Sequence, residues 1–348
     1  MSIHYFGEKR ILRLSFVIIL LNNVTRKDKI SYGCILKALI LEDKRKLVLK
    51  NVDTLSFSDS EVLIDIEVAG IGGSEYLGFN NPGIRPLPHI MGHGITGLTP
   101  EGKRVAIYPL QGCGKCVYCK DNRVQLCDKW TLIGVHCDGG FAQKVAIPRE
   151  LLFELPSDLT WEQSAFIEPF ANSMNAWEIS QASRENSIAI IGAGSLGLGL
   201  VACAHAEQCQ VIEVSDLSVS RLDAAKCLGA TKSAESLDGQ FDIVFDTVGT
   251  QETRALAIQL SKKGGKSVFL GFATPMFDVN FAELIRHQKQ LLGSFVYSKE
   301  QFKKAMYLAK NCKSEWVSNL TFTDIEDQLE KYLNNDFSTV KAVLRPNQ

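Results

Sequence analysis

Strong net charge is missing from this chain: 38 lysines and arginines stand against 39 aspartates and glutamates, a formal balance of −1. Without a positive surplus there is no electrostatic footprint for nucleic acid or an anionic membrane as partner. Long apolar runs are missing too. The best candidate, Leu14–Leu21, is interrupted only by Ser15, but it is too short for a helix to cross a bilayer. No small-residue cleavage site follows it before the charged stretch Arg26–Lys29, so it does not read as a secretion signal. A disulfide framework is also lacking. Of ten cysteines, four crowd between Cys113 and Cys127, and Cys34, Cys137, Cys203, Cys209, Cys227 and Cys312 are scattered. Clustered thiols in a long chain point to metal binding in a reducing compartment, so a cytoplasmic location is expected. Internal repeats and low-complexity tracts are absent.

What is present is an ordinary globular composition, 45% apolar and 22% charged, over 348 residues. That is enough for two domains. Residues 1–35 read as an extension, either disordered or thickening the edge of a domain. From Leu36 to about residue 160 short apolar runs alternate with glycine-rich turns. Strands are expected at Lys37–Leu41, Lys46–Val52, Glu61–Val68 and Arg104–Tyr108, which gives a barrel-like, mostly β domain.

Past Pro156 the rhythm changes. A helix is expected over Trp161–Ser180. Then come strand Ile188–Ile191, helix Leu196–Glu207, strand Val211–Val214, helix Ser218–Leu228, strand Phe241–Phe245, helix Glu252–Leu260 and strand Lys266–Leu270. Strands alternating with helices predict a doubly wound α/β parallel sheet, placed at 161–300. The segment 301–348 carries helices Gln301–Ala309 and Ile325–Leu333 and a strand, Lys341–Leu344, expected to return to the first domain.

Two motifs carry chemistry. Gly192-Ala193-Gly194-Ser195-Leu196-Gly197 follows a predicted strand and opens a predicted helix, the context in which G-x-G-x-x-G binds a dinucleotide. Gly192 permits the turn, Gly194 lets the backbone approach a pyrophosphate, and Gly197 lets helix and sheet close together. Gly192, Gly194, Leu196 and Gly197 are therefore the expected cofactor contacts. Asp216, 19 residues beyond Gly197, is placed to accept the ribose hydroxyls and to repel a 2′-phosphate, which favours NAD over NADP. Arg221 either covers the adenine ring or is a solvated arginine. The second motif is Cys113-x2-Cys116-x2-Cys119-x7-Cys127. Four thiolates close a tetrahedron around zinc and leave no position for substrate, so the lobe 112–128 is read as a structural metal site.

With both motifs on one chain, the sequence resembles the zinc-dependent medium-chain alcohol dehydrogenase family, from about Leu36 to Leu344, with the polyol and threonine dehydrogenase branches nearest. Gly70-Ile71-x-Gly73-Ser74, Gly92-His93, Asp138-Gly139-Gly140-Phe141-Ala142 and Glu168-Pro169 match it in order. The resemblance implies a GroES-like catalytic domain and a Rossmann domain with NAD in the cleft between them. It also implies a small-molecule substrate and a homodimer or homotetramer formed through the Rossmann sheet edge. Carried over, His93 and Glu168 are ligands of a catalytic zinc, and Ser74 relays the substrate proton.

The chain departs from that pattern at two ligand positions. Gly72 stands where the family has cysteine, and Gly94 where it has the glutamate of G-H-E. Two ligands hold zinc weakly, since a catalytic site takes three plus water. His136, Cys137 and Glu75 are the candidate replacements. The expected activity is NAD-dependent hydride transfer between a secondary alcohol and its ketone, with polyols and sugar derivatives among the expected substrates. The alternatives are a zinc-free reductase of an enone or aldehyde, with Tyr76 as a donor, and a catalytically silent NAD-binding protein.

Overall fold

The computed structural model describes residues 36–52 and 58–348; the extension 1–35 lies outside them. Two bodies meet along a cleft. The first is built on strand Glu61–Ile71, whose side chains alternate between half-buried and buried up to Val68. That period of two sets one face into the core. Its last three residues, Ala69, Gly70 and Ile71, are all buried, because this end runs under the cleft. The strand lies between Gly94–Leu98 and Lys341–Leu344 and also pairs with Lys144–Pro148. Strands Arg104–Ile107 and Leu152–Glu154 extend one side and Val317–Leu320 the other. A smaller sheet orders Lys46–Val52, Leu36–Asp43 and His89–Ile90. This is the mostly β first domain expected from the sequence.

The second body is a six-stranded parallel sheet in the order Lys232–Ala234, Ile212–Ser215, Ile188–Ile191, Phe241–Asp246, Ser261–Phe269, Gln290–Gly293. The strand order reverses at Ile188–Ile191, which opens a crevice at the carboxyl ends of the strands, as in Rossmann domains. Ile188–Ile191 is buried throughout, as a central strand covered on both faces requires.

The helix expected over Trp161–Ser180 is two helices, Trp161–Ser164 and Ile167–Ser180. Pro169 explains the break: in a continuous helix its ring would strike the carbonyl of Ala165, whereas in the first turn of a new helix its missing N–H costs nothing. Ile167–Ser180 then packs on helix Ser195–Ala206. There Ser173 donates to the Leu196 carbonyl at 2.7 Å, and a Cβ on Gly199 would come within 2.4 Å of the Ser173 Oγ. The strand Lys341–Leu344 does return to the first body, with Ala342, Val343 and Leu344 opposite Ile71, Gly70 and Ala69. Arg345 follows it and ties three segments, donating to Glu162, Asn319 and the Glu67 carbonyl. Among the described residues no helix is long and apolar enough to cross a membrane.

Candidate active site and metal centre

The cysteine lobe is preformed. Helix Val117–Lys120 starts on Cys116, whose thiol accepts the Cys119 amide. The amides of Cys116, Cys113 and Lys129 likewise point at the sulfurs of Cys113, Cys127 and Cys127, all at 3.4 Å. The four sulfurs lie within 4.8 Å of one another. Thiolates bound at about 2.3 Å to a tetrahedral zinc stand about 3.8 Å apart, and Cys113 and Cys119 are 4.0 Å apart. No pair is a disulfide. The donor set, its spacing and its amide hydrogen bonds fit zinc, and all four ligands are spent, so the site is structural and not catalytic.

At the glycine turn, Gly192 has φ +95°, and a Cβ there would press on Thr247 at 2.5 Å. A Cβ on Gly197 would lie 1.8 Å from the Gly192 carbonyl oxygen. Gly194 differs: its nearest neighbour would be Arg221 Nη1 at 3.7 Å, so the space above it is open. Helix Ser195–Ala206 begins there with no side-chain cap, leaving first-turn amides for an anion. These features fit a dinucleotide pyrophosphate. Asp216 follows strand Ile212–Ser215 and accepts the amides of Ala193 at 2.7 Å and Ser218 at 2.8 Å. Arg221 reaches the Thr339 carbonyl at 3.0 Å and lies over the Phe337 ring at 5.1 Å. It therefore joins the Rossmann body to the segment that leads back into the first domain.

Across the cleft, His93 sits between two carboxylates. Its Nδ1 meets Glu75 Oε1 at 2.6 Å and its Nε2 meets Glu168 Oε1 at 3.4 Å. Glu75 comes from helix Gly73–Asn80, and its other oxygen accepts the Gly72 amide at 3.0 Å. Glu168 comes from the first turn of Ile167–Ser180 and also accepts from Asn172 at 2.8 Å and from the Tyr297 hydroxyl at 3.1 Å. Burial disfavours charge on the imidazole, but Glu75 and Glu168 together outweigh it and lift its pKa to about 10. Burial also opposes charge on each carboxylate, and the imidazolium overrides it and lowers both.

The expected pair His93 and Glu168 is thus brought together: Nε2 and Oε1, 3.4 Å apart, are spaced as two ligands of one zinc would be, while Glu75 holds the other ring nitrogen. Among the described residues the four cysteines are the only cluster of three or more potential ligands. His136 is held elsewhere, accepting the Leu132 amide, and Cys137 is exposed. A catalytic zinc therefore does not fit these residues as they stand.

Ser74 lies in the same helix but is turned to Arg85, which donates to its hydroxyl at 3.2 Å and its carbonyl at 3.0 Å. Tyr76 packs its ring on Tyr332 and Phe337. Tyr297 is buried behind Glu168, to which its hydroxyl donates. Arg286 and His287 lie on helix Phe281–His287, with Arg286 exposed and His287 facing Glu283.

The residue that sequence reasoning missed is Lys341. It is 5% exposed, and its amine donates to the Ile71 carbonyl at 3.2 Å. Burial lowers its pKa, against the pull of Glu75 and Glu168. The only sequence signal was a lysine opening an otherwise apolar strand.

Comparison with known proteins agrees with this architecture. Residues 58–157 match the alcohol dehydrogenase GroES-like domain, and residues 195–311 match the zinc-binding dehydrogenase family. Sorbitol dehydrogenase of Bacillus subtilis is 27% identical, with 90% of this chain and 98% of the relative covered. L-galactonate-5-dehydrogenase of Escherichia coli is 29% identical, with 89% and 98% covered. The structure of acetophenone reductase from Geotrichum candidum, in complex with NAD, superposes with a TM-score of 0.81 at 26% identity over 89% of this chain and 97% of that one. The four-cysteine lobe, the glycine turn and the two domain matches together place this chain in the zinc-type medium-chain alcohol dehydrogenase family of oxidoreductases.

Proposed function

We propose that the protein is a dehydrogenase that moves hydride between a nicotinamide dinucleotide and the carbinol carbon of a polyol or sugar derivative. The observation that carries this reading is the nearness of two features. A glycine turn with uncapped amides lies beside Arg221, and both Arg221 and the buried Glu75–His93–Glu168 cluster are close enough to act on Lys341. A bound nicotinamide would supply the redox chemistry as the hydride acceptor, and Ser74, half-buried and accepting from Arg85, would pass the hydroxyl proton to water. The sorbitol and galactonate dehydrogenases among the relatives support a polyhydroxylated substrate. Asp216 supports NAD over NADP, because its carboxylate, fixed by two amides at the end of its strand, would repel a 2′-phosphate.

The free edge strand Gln290–Gly293, with exposed Phe272, Met276, Phe281 and Ile285 in the segments leading to it, supports self-association into a dimer or tetramer. Free thiols support a cytoplasmic location.

The direct test measures reduced-nicotinamide formation from NAD and NADP with a panel of sugar alcohols and sugar acids, beside NADH binding by fluorescence. Turnover of at least one polyol with NAD, at tenfold or greater preference over NADP, is expected. NADH binding with no turnover of any alcohol would sink the dehydrogenase reading.

A further inference from the structure

Gly70 and Gly72 remove two side chains from the cleft side of the first domain, and one amine fills the space. A Cβ on Gly70 would lie 3.3 Å from Lys341 Nζ, and one on Gly72 would lie 4.0 Å from it. The same Cβ on Gly72 would lie 3.7 Å from Glu75 Oε2. The ammonium thus stands beside the position from which the family presents its cysteine ligand, next to the cluster that holds His93. Among the described residues it has one hydrogen bond, to the Ile71 carbonyl, and no salt bridge. An ammonium has three donors, so two N–H groups of a nearly buried cation are unspent. A buried charge without a close partner is costly, and such a cost is met at sites where a ligand completes the coordination.

We propose that the Lys341 ammonium takes the place of the catalytic metal ion, binding and polarising the substrate oxygen from the space left by Gly72. This rests on the reading of the cleft as a dehydrogenase site. The backbone fixes the placement: Ala342 is registered opposite Ile71 in the antiparallel pair, so Lys341 is delivered beside Gly72 by the sheet and not by a flexible loop. The neighbouring charges are of the right kind to hold it. Glu75 and Glu168 both attract the amine, and each is fixed by His93 and by neutral donors. A divalent ion brought to the same place would meet an ammonium and, with glycine at 72 and 94, only His93 and Glu168 of the expected ligands. Gly72 and Gly94 in place of two metal ligands and one inward lysine thus form a single exchange, in which a coordinated cation is replaced by a covalently tethered one. The hydride step is unchanged; the lysine supplies charge and hydrogen bonds to the oxygen.

Metal counting tests this without any substrate. Zinc per chain is measured on the full-length protein, on Gly72→Cys and on Gly72→Cys/Lys341→Met, each equilibrated with excess zinc. One zinc is expected in the first two and two in the third, because a restored thiolate binds a metal only once the ammonium is gone. Two zincs in the native protein, or in Gly72→Cys alone, would overturn the proposal, as would one zinc in a folded double variant. Kinetics give a second arm. Lys341→Met should lower kcat/KM for the best alcohol at least 100-fold with the NADH Kd changed less than threefold, and Lys341→Arg should recover to within tenfold of native. Lys341→Met activity within threefold of native would overturn the proposal even if the dehydrogenase reading stands. If the native protein turns over no alcohol, that reading falls, and the zinc counts still decide where the ammonium sits.

Discussion

His93 has a carboxylate on each ring nitrogen, and this fixes its charge. A free histidine titrates near neutrality, whereas this one holds its proton to about pH 10. Because the folded pKa is raised above the unfolded one, the stabilisation is complete below about pH 6.5. It is lost as pH rises toward about 10. The carboxylates act in the opposite sense: their folded pKa values are lowered, so their contribution is present above the ordinary glutamate range and lost in acid. Proton NMR of the His93 ring should therefore show an imidazolium from pH 6 to 9, and a midpoint near 6.5 would contradict the geometry. Glu75→Gln should cost about 3 kcal/mol in denaturant unfolding at pH 7, because it leaves the buried imidazolium with one counter-charge.

Two glycines at the start of one helix play contrasting parts. Within helix Ser195–Ala206, Gly197 meets a backbone oxygen that cannot retreat, whereas Gly194, at its N-cap, faces open space. Gly197→Ala should lower the melting temperature by several degrees. Gly194→Ala should fold as the native protein does but bind NADH at least tenfold more weakly, since the added methyl stands where a pyrophosphate would approach. Calorimetry and fluorescence titration on the two variants would separate the roles; equal loss of stability in both would refute the distinction. The cysteine lobe is an element of another kind, held by its metal. Cys113→Ser should lose zinc and become cleavable by protease within 112–128, while the far-ultraviolet circular dichroism of the parallel sheet persists.

At the scale of the whole molecule, the C-terminal segment spans both bodies. Arg221 of the Rossmann domain holds Thr339 and covers Phe337, Phe337 stacks on Tyr332, and Tyr76 packs against both rings. Two residues beyond Thr339, Lys341 enters the cleft. Contacts on the dinucleotide side and at the reacting centre are therefore carried by one short stretch of chain. The exposed apolar residues near Gln290–Gly293 lie on the opposite edge of the sheet from Lys232–Ala234. Light scattering should give a dimer or larger assembly for the native protein, and Phe281→Asp/Ile285→Asp should shift it toward monomer if that edge is the interface.

The local order of elements was legible in the sequence because it is written in short-range patterns. The alternation in Glu61–Val68, the uninterrupted apolar run Ile188–Ile191, the glycine turn after it and the cysteine spacing each act within a few residues. The division of Trp161–Ser180 at Pro169 was legible in principle, since proline chemistry is local, but the helical period on both sides concealed it. The absence of Cys and Glu ligands at Gly72 and Gly94 could also be read directly. What replaced them could not. Glu75 is near Gly72 in sequence, yet only folding shows that it takes the far nitrogen of His93 and not a shared metal position. Lys341 is 269 residues from Gly72, and only the antiparallel register of the last strand against Glu61–Ile71 sets them side by side. The sequence by itself determined the family, the two domains and the structural metal lobe, because those depend on local spacing. The tertiary structure alone decided the charge arrangement of the cleft, because electrostatics falls with distance in space and takes no account of distance along the chain.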